Sequence, residues 1–387
     1  METLLSRPEL QCKVKSLSIN LQSSDGHPAA GLDLREDIKA AWFELGYFDA
    51  YQDNNNGTIY RIWAARLFGC KEQVYAGVLL SLLPNLVRLD IAHHSRGTPY
   101  TRIPSYPAHE LFGTIAGTNV VAGIRAVDRK IVSRLKLQEL TLCFESISFL
   151  DLGFSFLTDL TIRLIGNFNI VGFANQIVPY DLPNLRNLTI EVFSQVGYAE
   201  SAHRWRPNLR RLLNLLGNPV LESLVVDVRS SHPGLSFSEV PQAGVFDFQL
   251  LLDILHTACL DLLDLRIEFE KNAPEFALQR RGLTTMINHR NLKRLSVPFA
   301  AFGAAKFKFK YITEIIPTCV QYIHLVGCSK DVLFWVNMLD SARAQYPDLR
   351  TVVLDGDMEG QGWIRSALKL KVATFEKVGV RLHLVNG

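Results

Sequence analysis

One short arrangement of apolar and polar positions, L-x-x-L-x-(I/L/V), recurs from near the start of the chain to its end. The copies are VKSLSI (14–19), LVRLDI (86–91), LQELTL (137–142), LTDLTI (157–162), LRNLTI (185–190) and LESLVV (221–226). They continue as LLDLRI (262–267), LKRLSV (292–297), VQYIHL (320–325), LRTVVL (349–354) and the terminal VRLHLV (380–385). Two copies sit in a longer near-duplicate, LPNLVRLDI from Leu83 and LPNLRNLTI from Leu182, 99 residues apart. A phrase that recurs predicts a structural unit that recurs. From Leu188 to Val352, five steps cover 164 residues, a mean period of about 33 that is typical of stacked repeats.

The alternation inside the phrase predicts strands. Successive strand residues point to opposite faces, so in L-x-L both aliphatic side chains go inward and the x between them outward. The first leucine enters the core as the chain turns into the strand. One such strand cannot bury its own apolar face, but stacked neighbours can. Between the phrases the period changes to that of a helix. In DFQLLLDILHTA, Phe248, Leu251, Leu252 and Leu255 stand at i, i+3, i+4 and i+7, one apolar stripe. NLRRLLNLLGN places Leu209, Leu212, Leu213 and Leu216 the same way and stops at Gly217. Further helices are predicted over 331–344 and 362–379, the last closing at Gly379, a residue suited to a helix C-terminus.

Strand then helix, repeated, with parallel strands lining a concave face and helices on the convex face, describes an irregular leucine-rich-repeat solenoid, a horseshoe of the α/β class. A doubly wound sheet also alternates strand and helix, yet nothing in that architecture requires L-x-x-L-x-L at every strand. The reading is a single solenoid over 1–387, with a helical and loop insertion at 21–80 and a loop and helix insertion at 93–130. The spacing motivates both: 72 residues separate Leu17 from Leu89, and 51 separate Leu89 from Leu140. The first gap holds helical patterns near IKAAWFELGYF and KEQVYAGVLLSLL, and the second holds HHSRGTPYTRIPSYPAHE, a predicted surface loop. The common continuation of the phrase to an Asn or Cys occurs once, in VQYIHLVGC at Cys328, so irregular curvature is expected.

Composition narrows the function. The 387 residues are 48% hydrophobic and 20% charged with net charge +3, which suits a folded chain and provides no global field for nucleic acid or anionic membrane. Six scattered cysteines without a CxxC pair predict reduced thiols in an intracellular protein, cytoplasmic or nuclear. METLLSRPELQCKVK lacks the apolar core of a secretory signal, and no apolar run is long enough to span a membrane.

A search for chemistry finds little. There is no P-loop, strand-linked GxGxxG, HExxH or GxSxG. His93 and His94 are adjacent and are read as loop residues following their strand. DGDMEG (355–360) resembles the start of a calcium loop, but the twelfth position is Ser366 rather than the bidentate Glu, so it is read as an acidic turn before the last helix. KFKFKY (306–311) and HRWRPNLRR (203–211) interleave basic and aromatic residues as single-strand binders do. Their plain readings are an amphipathic edge and a helix begun by Pro207. Trp42, Trp63, Trp205, Trp335 and Trp363 fall mostly in helical patterns and are read as core. No catalytic, cofactor or metal site is expected, and the chain is read as non-enzymatic.

The phrases SRPELQCKVKSLSIN, LLPNLVRLDI, DLPNLRNLTI and FEKVGVRLHLV resemble the leucine-rich-repeat region of fungal F-box proteins. That resemblance implies an interaction module that recognises substrates for a ubiquitin ligase. The F-box that docks the ligase adaptor would lie upstream of Arg7-Pro8-Glu9-Leu10, so adaptor binding is not assigned to these residues. The alternatives are a repeat scaffold without a ubiquitin connection and a nucleic-acid-binding repeat protein.

The special surface of a horseshoe is its concave sheet, lined by the x positions. A protein partner is expected on Arg88, Asp90, Glu139, Asp159, Arg163, Asn187, Glu191, Asp227, Asp264, Arg266, Glu268, Arg294, Tyr322 and His324. The middle of this set is acidic, which suits a basic partner segment, with Arg294 and Tyr322 as anchors toward one end.

Overall fold

The structure, a computed structural model, describes residues 7–22, 79–94, 132–143, 153–165, 182–194, 221–230, 248–259, 261–269, 285–302, 312–356 and 362–385, with isolated positions at 4, 40, 150, 210, 212–214, 216 and 283. Of the two inserted segments, the described residues take in 21–22, 40 and 79–80 of the first and 93–94 of the second. KFKFKY and most of HRWRPNLRR also lie outside the described residues, as do Trp42, Trp63 and Trp205.

The chain forms two compact units, Met1–Arg163 with Val178–Leu185, and Leu164–Ile177 with Arg186–Gly387. The first begins with a short helix α1 (Pro8–Gln11) and carries β1 (Ser16–Gln22), β2 (Arg88–His94), β3 (Glu139–Cys143) and most of β4 (Asp159–Ile165). The second carries β5 (Asn187–Ser194), β6 (Ser223–Ser230), β7 (Asp264–Phe269), β8 (Arg294–Pro298), β9 (Tyr322–Val326), β10 (Thr351–Asp355) and β11 (Arg381–Val385). Its helices are α2 (Phe248–Ala258), α3 (Ile312–Ile315), α4 (Val332–Ser341) and α5 (Gly362–Lys377). Within each unit the strands are parallel and lie in chain order, an open α/β arrangement compatible with a solenoid.

Every copy of the phrase is a strand, and like residues pair with like. Leu17 faces Leu89, Leu89 faces Leu140 and Leu140 faces Leu160 in the first unit. In the second, Leu188, Leu224, Leu265, Leu295, Ile323, Val352 and Leu382 are successive partners. A slip by one residue would turn the aliphatic set onto the wet face, which is why the register is fixed. The leading residue of each phrase from Leu86 to Val380 is no more than 2% exposed. Leu17, Ile19 and Leu384 are half-buried, since β1 and β11 have a strand neighbour on one side only among the described residues.

Strand starts are locked by a repeated hydrogen bond. The carbonyl before most of the described strands accepts two amides from the next, as Lys15 does from Val87 and Arg88, Glu222 from Leu263 and Asp264, and Lys293 from Gln321 and Tyr322, all at 2.8–3.0 Å. The duplicated LPNL is the turn that leads into this lock. The Leu86 amide donates to the Leu83 carbonyl at 3.1 Å and Leu185 to Leu182 at 3.2 Å, with proline at the position its fixed φ favours. Asn85 and Asn184 of the phrase each donate to a backbone carbonyl of the preceding repeat, on Cys12 and Ser155, at 3.2 and 2.6 Å.

The helices supply the other half of the second unit's core. Leu251, Leu252, Ile254 and Leu255 of α2, Val332, Trp335, Val336 and Leu339 of α4, and Ile364, Leu368 and Phe375 of α5 are buried, while alternate strand residues remain partly exposed, as in the iBiBi patterns of β9 and β10. Helix α5 is closed by Gly379 two residues past its end, with φ of 77°, and the Val380 amide bonds the Phe375 carbonyl at 2.9 Å, the six-to-one closure that needs a left-handed residue.

Two expectations are corrected here. His93 and His94 belong to β2 rather than to a following loop, paired in register with Leu21 and Gln22; the ladder to β1 extends the strand past the phrase. Trp335 is core at 1% exposure, but Trp363 is 69% exposed, because it lies about 100° around α5 from Ile364, off the buried stripe.

Candidate interaction surface

Neighbouring strands stand about 4.8 Å apart, so the residues flanking each buried rung form lateral rows. In the first unit Arg88, Glu139 and Asp159 are consecutive in one row, and Asp90, Thr141 and Thr161 in the next. Charges are matched within this face. Arg88 Nε donates to Glu139 Oε2 at 2.6 Å, a bond that raises the Arg88 pKa. Arg163 reaches past β3 and donates from Nη1 and Nη2 to the two carboxylate oxygens of Asp90, at 2.8 and 3.4 Å. Asp159 accepts from the Thr158 hydroxyl. The nominated acids of this unit therefore already hold partners, and they are not a free anionic field.

In the second unit one row runs Asn187, Ser223, Asp264, Arg294, Tyr322, Thr351 and Arg381. The next runs Thr189, Val225, Arg266, Ser296, His324, Val353 and His383. Glu191, Asp227 and Glu268 stand in register one step further along. Glu268 is exposed and Asp227 half-buried. Glu191 departs from the expectation of a wet lining, at 9% exposure. Strand β5 continues past it to Ser194, which places it inside the sheet rather than at its rim.

A compact group forms where β7, β8 and β9 meet. Arg266 grips Asp264 through Nη2–Oδ2 at 2.8 Å and Nε–Oδ1 at 3.3 Å, and the bond to Asp264 raises the guanidinium pKa. The Arg294 guanidinium carbon lies 5.2 Å from the Tyr322 ring centroid, a cation–π contact. The Tyr322 and His324 rings meet edge-on with centroids 6.5 Å apart. His324 Nδ1 is 3.1 Å from Ser296 Oγ. Burial lowers the His324 pKa, with Asp355 and Glu268 opposing and Arg266 assisting, so this imidazole is neutral at pH 7. Spacing alone missed the Ser296–His324 pair, since the two residues are 28 positions apart and meet through register. By residue type they are a nucleophile and a base, but Ser296 is only 6% exposed, which withholds its hydroxyl from a substrate.

Other chemistry is sparse among the described residues. No group of three or more His, Cys, Asp or Glu could hold a metal ion. Cys12, Cys259, Cys319 and Cys328 are free thiols, and burial pushes Cys259 and Cys328 up to about 12. Of the calcium-like DGDMEG, Asp355 ends β10 and Gly356 follows it, and the remainder lies outside the described residues. A cavity of about 380 Å³ lined by Ile287, Arg290, Thr313, Pro317, Thr318 and Cys319 contains none of the row residues. No described helix is long and apolar enough to cross a membrane.

No protein-family model matches this sequence, and no curated protein is a significant match to it. Function is therefore read from the rows themselves. They offer a partly exposed, backbone-fixed face on which Arg294, Tyr322, His324 and Glu268 are the accessible groups that differ most from a bland solvated sheet. Arg and Tyr are the residue types that dominate binding energy at protein interfaces.

Proposed function

We propose that the chain is a leucine-rich-repeat interaction module that binds a protein partner on its polar strand face, without catalysis. The observation that supports this best is the Arg294–Tyr322–His324 group, held by register on a half-exposed sheet beside Glu268. Arg294 and Tyr322 act as anchors, and Glu268 with Asp227 receives a basic residue of the partner. The resemblance to the repeat region of fungal F-box proteins extends the proposal. The partner is then a substrate for ubiquitination in the cytoplasm or nucleus, and the ligase adaptor binds only through an F-box upstream of this repeat region.

The test is quantitative affinity purification of the tagged full chain, wild type against R294E/Y322A. Interactors depleted at least tenfold by the double variant, and enriched in exposed basic segments, support the reading. An interactor profile that the variant leaves unchanged removes it. Where the tagged product carries an F-box upstream, absence of adaptor and cullin peptides from the wild-type preparation removes the ubiquitin part and leaves the scaffold. Retention on immobilised single strands that falls steeply with salt replaces both with nucleic-acid binding.

A further inference from the structure

Helix α5 presents a second apolar line that the core does not use. Its buried stripe is Ile364, Leu368 and Phe375. About a third of a turn away, Trp363, Ala367, Leu370, Thr374 and Lys377 follow one another at spacings of four, three, four and three residues. That alternation is the seam of helix-on-helix packing, with large and small side chains in turn. Trp363 and Leu370 are 69% and 75% exposed, the two most exposed large apolar residues among those described. Ala367 is half-buried, and Thr374 and Lys377 are exposed. The two bulky residues stand in line along the helix with the smaller Ala367 between them.

The polar groups along the line are already satisfied. Thr374 Oγ1 donates to the Leu370 carbonyl at 3.4 Å and Ser366 Oγ to the Gly362 carbonyl at 2.9 Å, both inside the helix. Covering them strands no hydroxyl, so a partner can dry the seam at low cost. The exposed charge on the line itself is a cation, while the flank holds a matched pair. Lys377 continues the line, and Lys371 lies on the flank, paired with Asp340 of α4 at 2.7 Å. Glu376, the lone acid of α5, stands about 100° round from Lys377 and further from the seam.

We propose that this line on α5 is a docking seam for an amphipathic helix of a partner protein, one whose apolar ridge fits between Trp363 and Leu370 and whose acidic residue meets Lys377. A helix is favoured over a bilayer because the notches at Ala367 and Thr374 serve knobs from a second helix and do nothing for lipid. The seam is separate from the polar strand face and stands or falls independently of it.

The test pans a phage-displayed library of helical peptides against the full wild-type chain, with counter-selection on W363S/L370S. Recovered sequences are expected to share apolar positions at i, i+3 or i+4, and i+7, together with Asp or Glu. Binding of a recovered peptide, read by fluorescence anisotropy, should fall at least tenfold in W363S and in A367E, and severalfold in K377E. It should be unchanged in Y322A. Circular dichroism and melting temperature should match wild type in W363S, W363S/L370S and K377E, as expected for exposed positions, and A367E is scored only if its circular dichroism spectrum matches wild type. Recovery of neutral or basic peptides overturns the proposal, as does equal binding to W363S/L370S. Trp363-dependent binding of phosphatidylcholine–phosphatidylserine vesicles in place of peptide overturns it in favour of a membrane. A concentration-dependent dimer lost in W363S overturns it in favour of self-association.

Discussion

Replacing Leu295 by alanine tests the alternation on which the polar strand face depends. Leu295 has no exposed area and is the middle rung between Leu265 and Ile323, with Leu292 and Val297 equally buried around it. At ~0.8 kcal/mol per CH₂, the three lost carbons account for about 2.4 kcal/mol. The site cannot collapse freely, because the Leu263 carbonyl holds the Lys293 and Arg294 amides at 2.8 and 2.9 Å and the Lys293 carbonyl holds Gln321 and Tyr322 at 2.8 and 3.0 Å. A residual cavity should therefore bring the loss to about 3–4 kcal/mol. Urea denaturation followed by far-UV circular dichroism measures the total. Hydrogen exchange should localise it to β7–β9, since repeats feel chiefly their nearest neighbours. The control is Arg294→Ala, one residue away on the opposite face, which should change stability by no more than about 0.5 kcal/mol while weakening the strand-face partner. A Leu295→Ala loss below about 1 kcal/mol, or an Arg294→Ala loss as large, refutes the face assignment.

Gly356→Ala should cost about 2 kcal/mol or more in thermal denaturation, because a Cβ there would lie 2.6 Å from the Cys328 carbonyl oxygen and 2.7 Å from its nitrogen, backbone atoms that cannot swing away. Native labelling with iodoacetamide at pH 8, mapped by mass spectrometry, should modify exposed Cys12 well before Cys259 and Cys328, whose thiols burial keeps protonated. Stability should fall below about pH 6.5, read by urea midpoints against a His289→Phe variant. His289 is 3% exposed, and its pKa is lowered by burial and by His256, whose ring centroid is 5.8 Å away, against the Leu252 carbonyl and Asp253. The unfolded chain then takes up a proton that the folded one refuses, so this contribution is level above the unfolded pKa of about 6.5. It declines by up to about 1.4 kcal/mol per pH unit as the solution is acidified toward the folded pKa. A pH profile identical in the variant counts against the buried-neutral reading.

Much of this protein is written locally. The eleven phrases became eleven strands because a period of two is a property of the segment itself, and the helices α2, α4 and α5 became visible through their 3.6-residue stripes. The turn in LPNL and the closure at Gly379 are likewise set by proline and glycine backbone preferences within a few residues. The face that each strand buries was legible too, since a slip by one residue would turn its aliphatic rungs into water. What only the tertiary structure decided is who stands beside whom. Arg163 neutralises Asp90 from two strands away, Ser296 finds His324, Glu191 is shut in, and Trp363 is left out. Charge pairing and burial are set by lateral neighbours and by how far a strand or helix runs past its pattern. Those neighbours come from distant stretches of chain, which the alternation of a single segment does not encode.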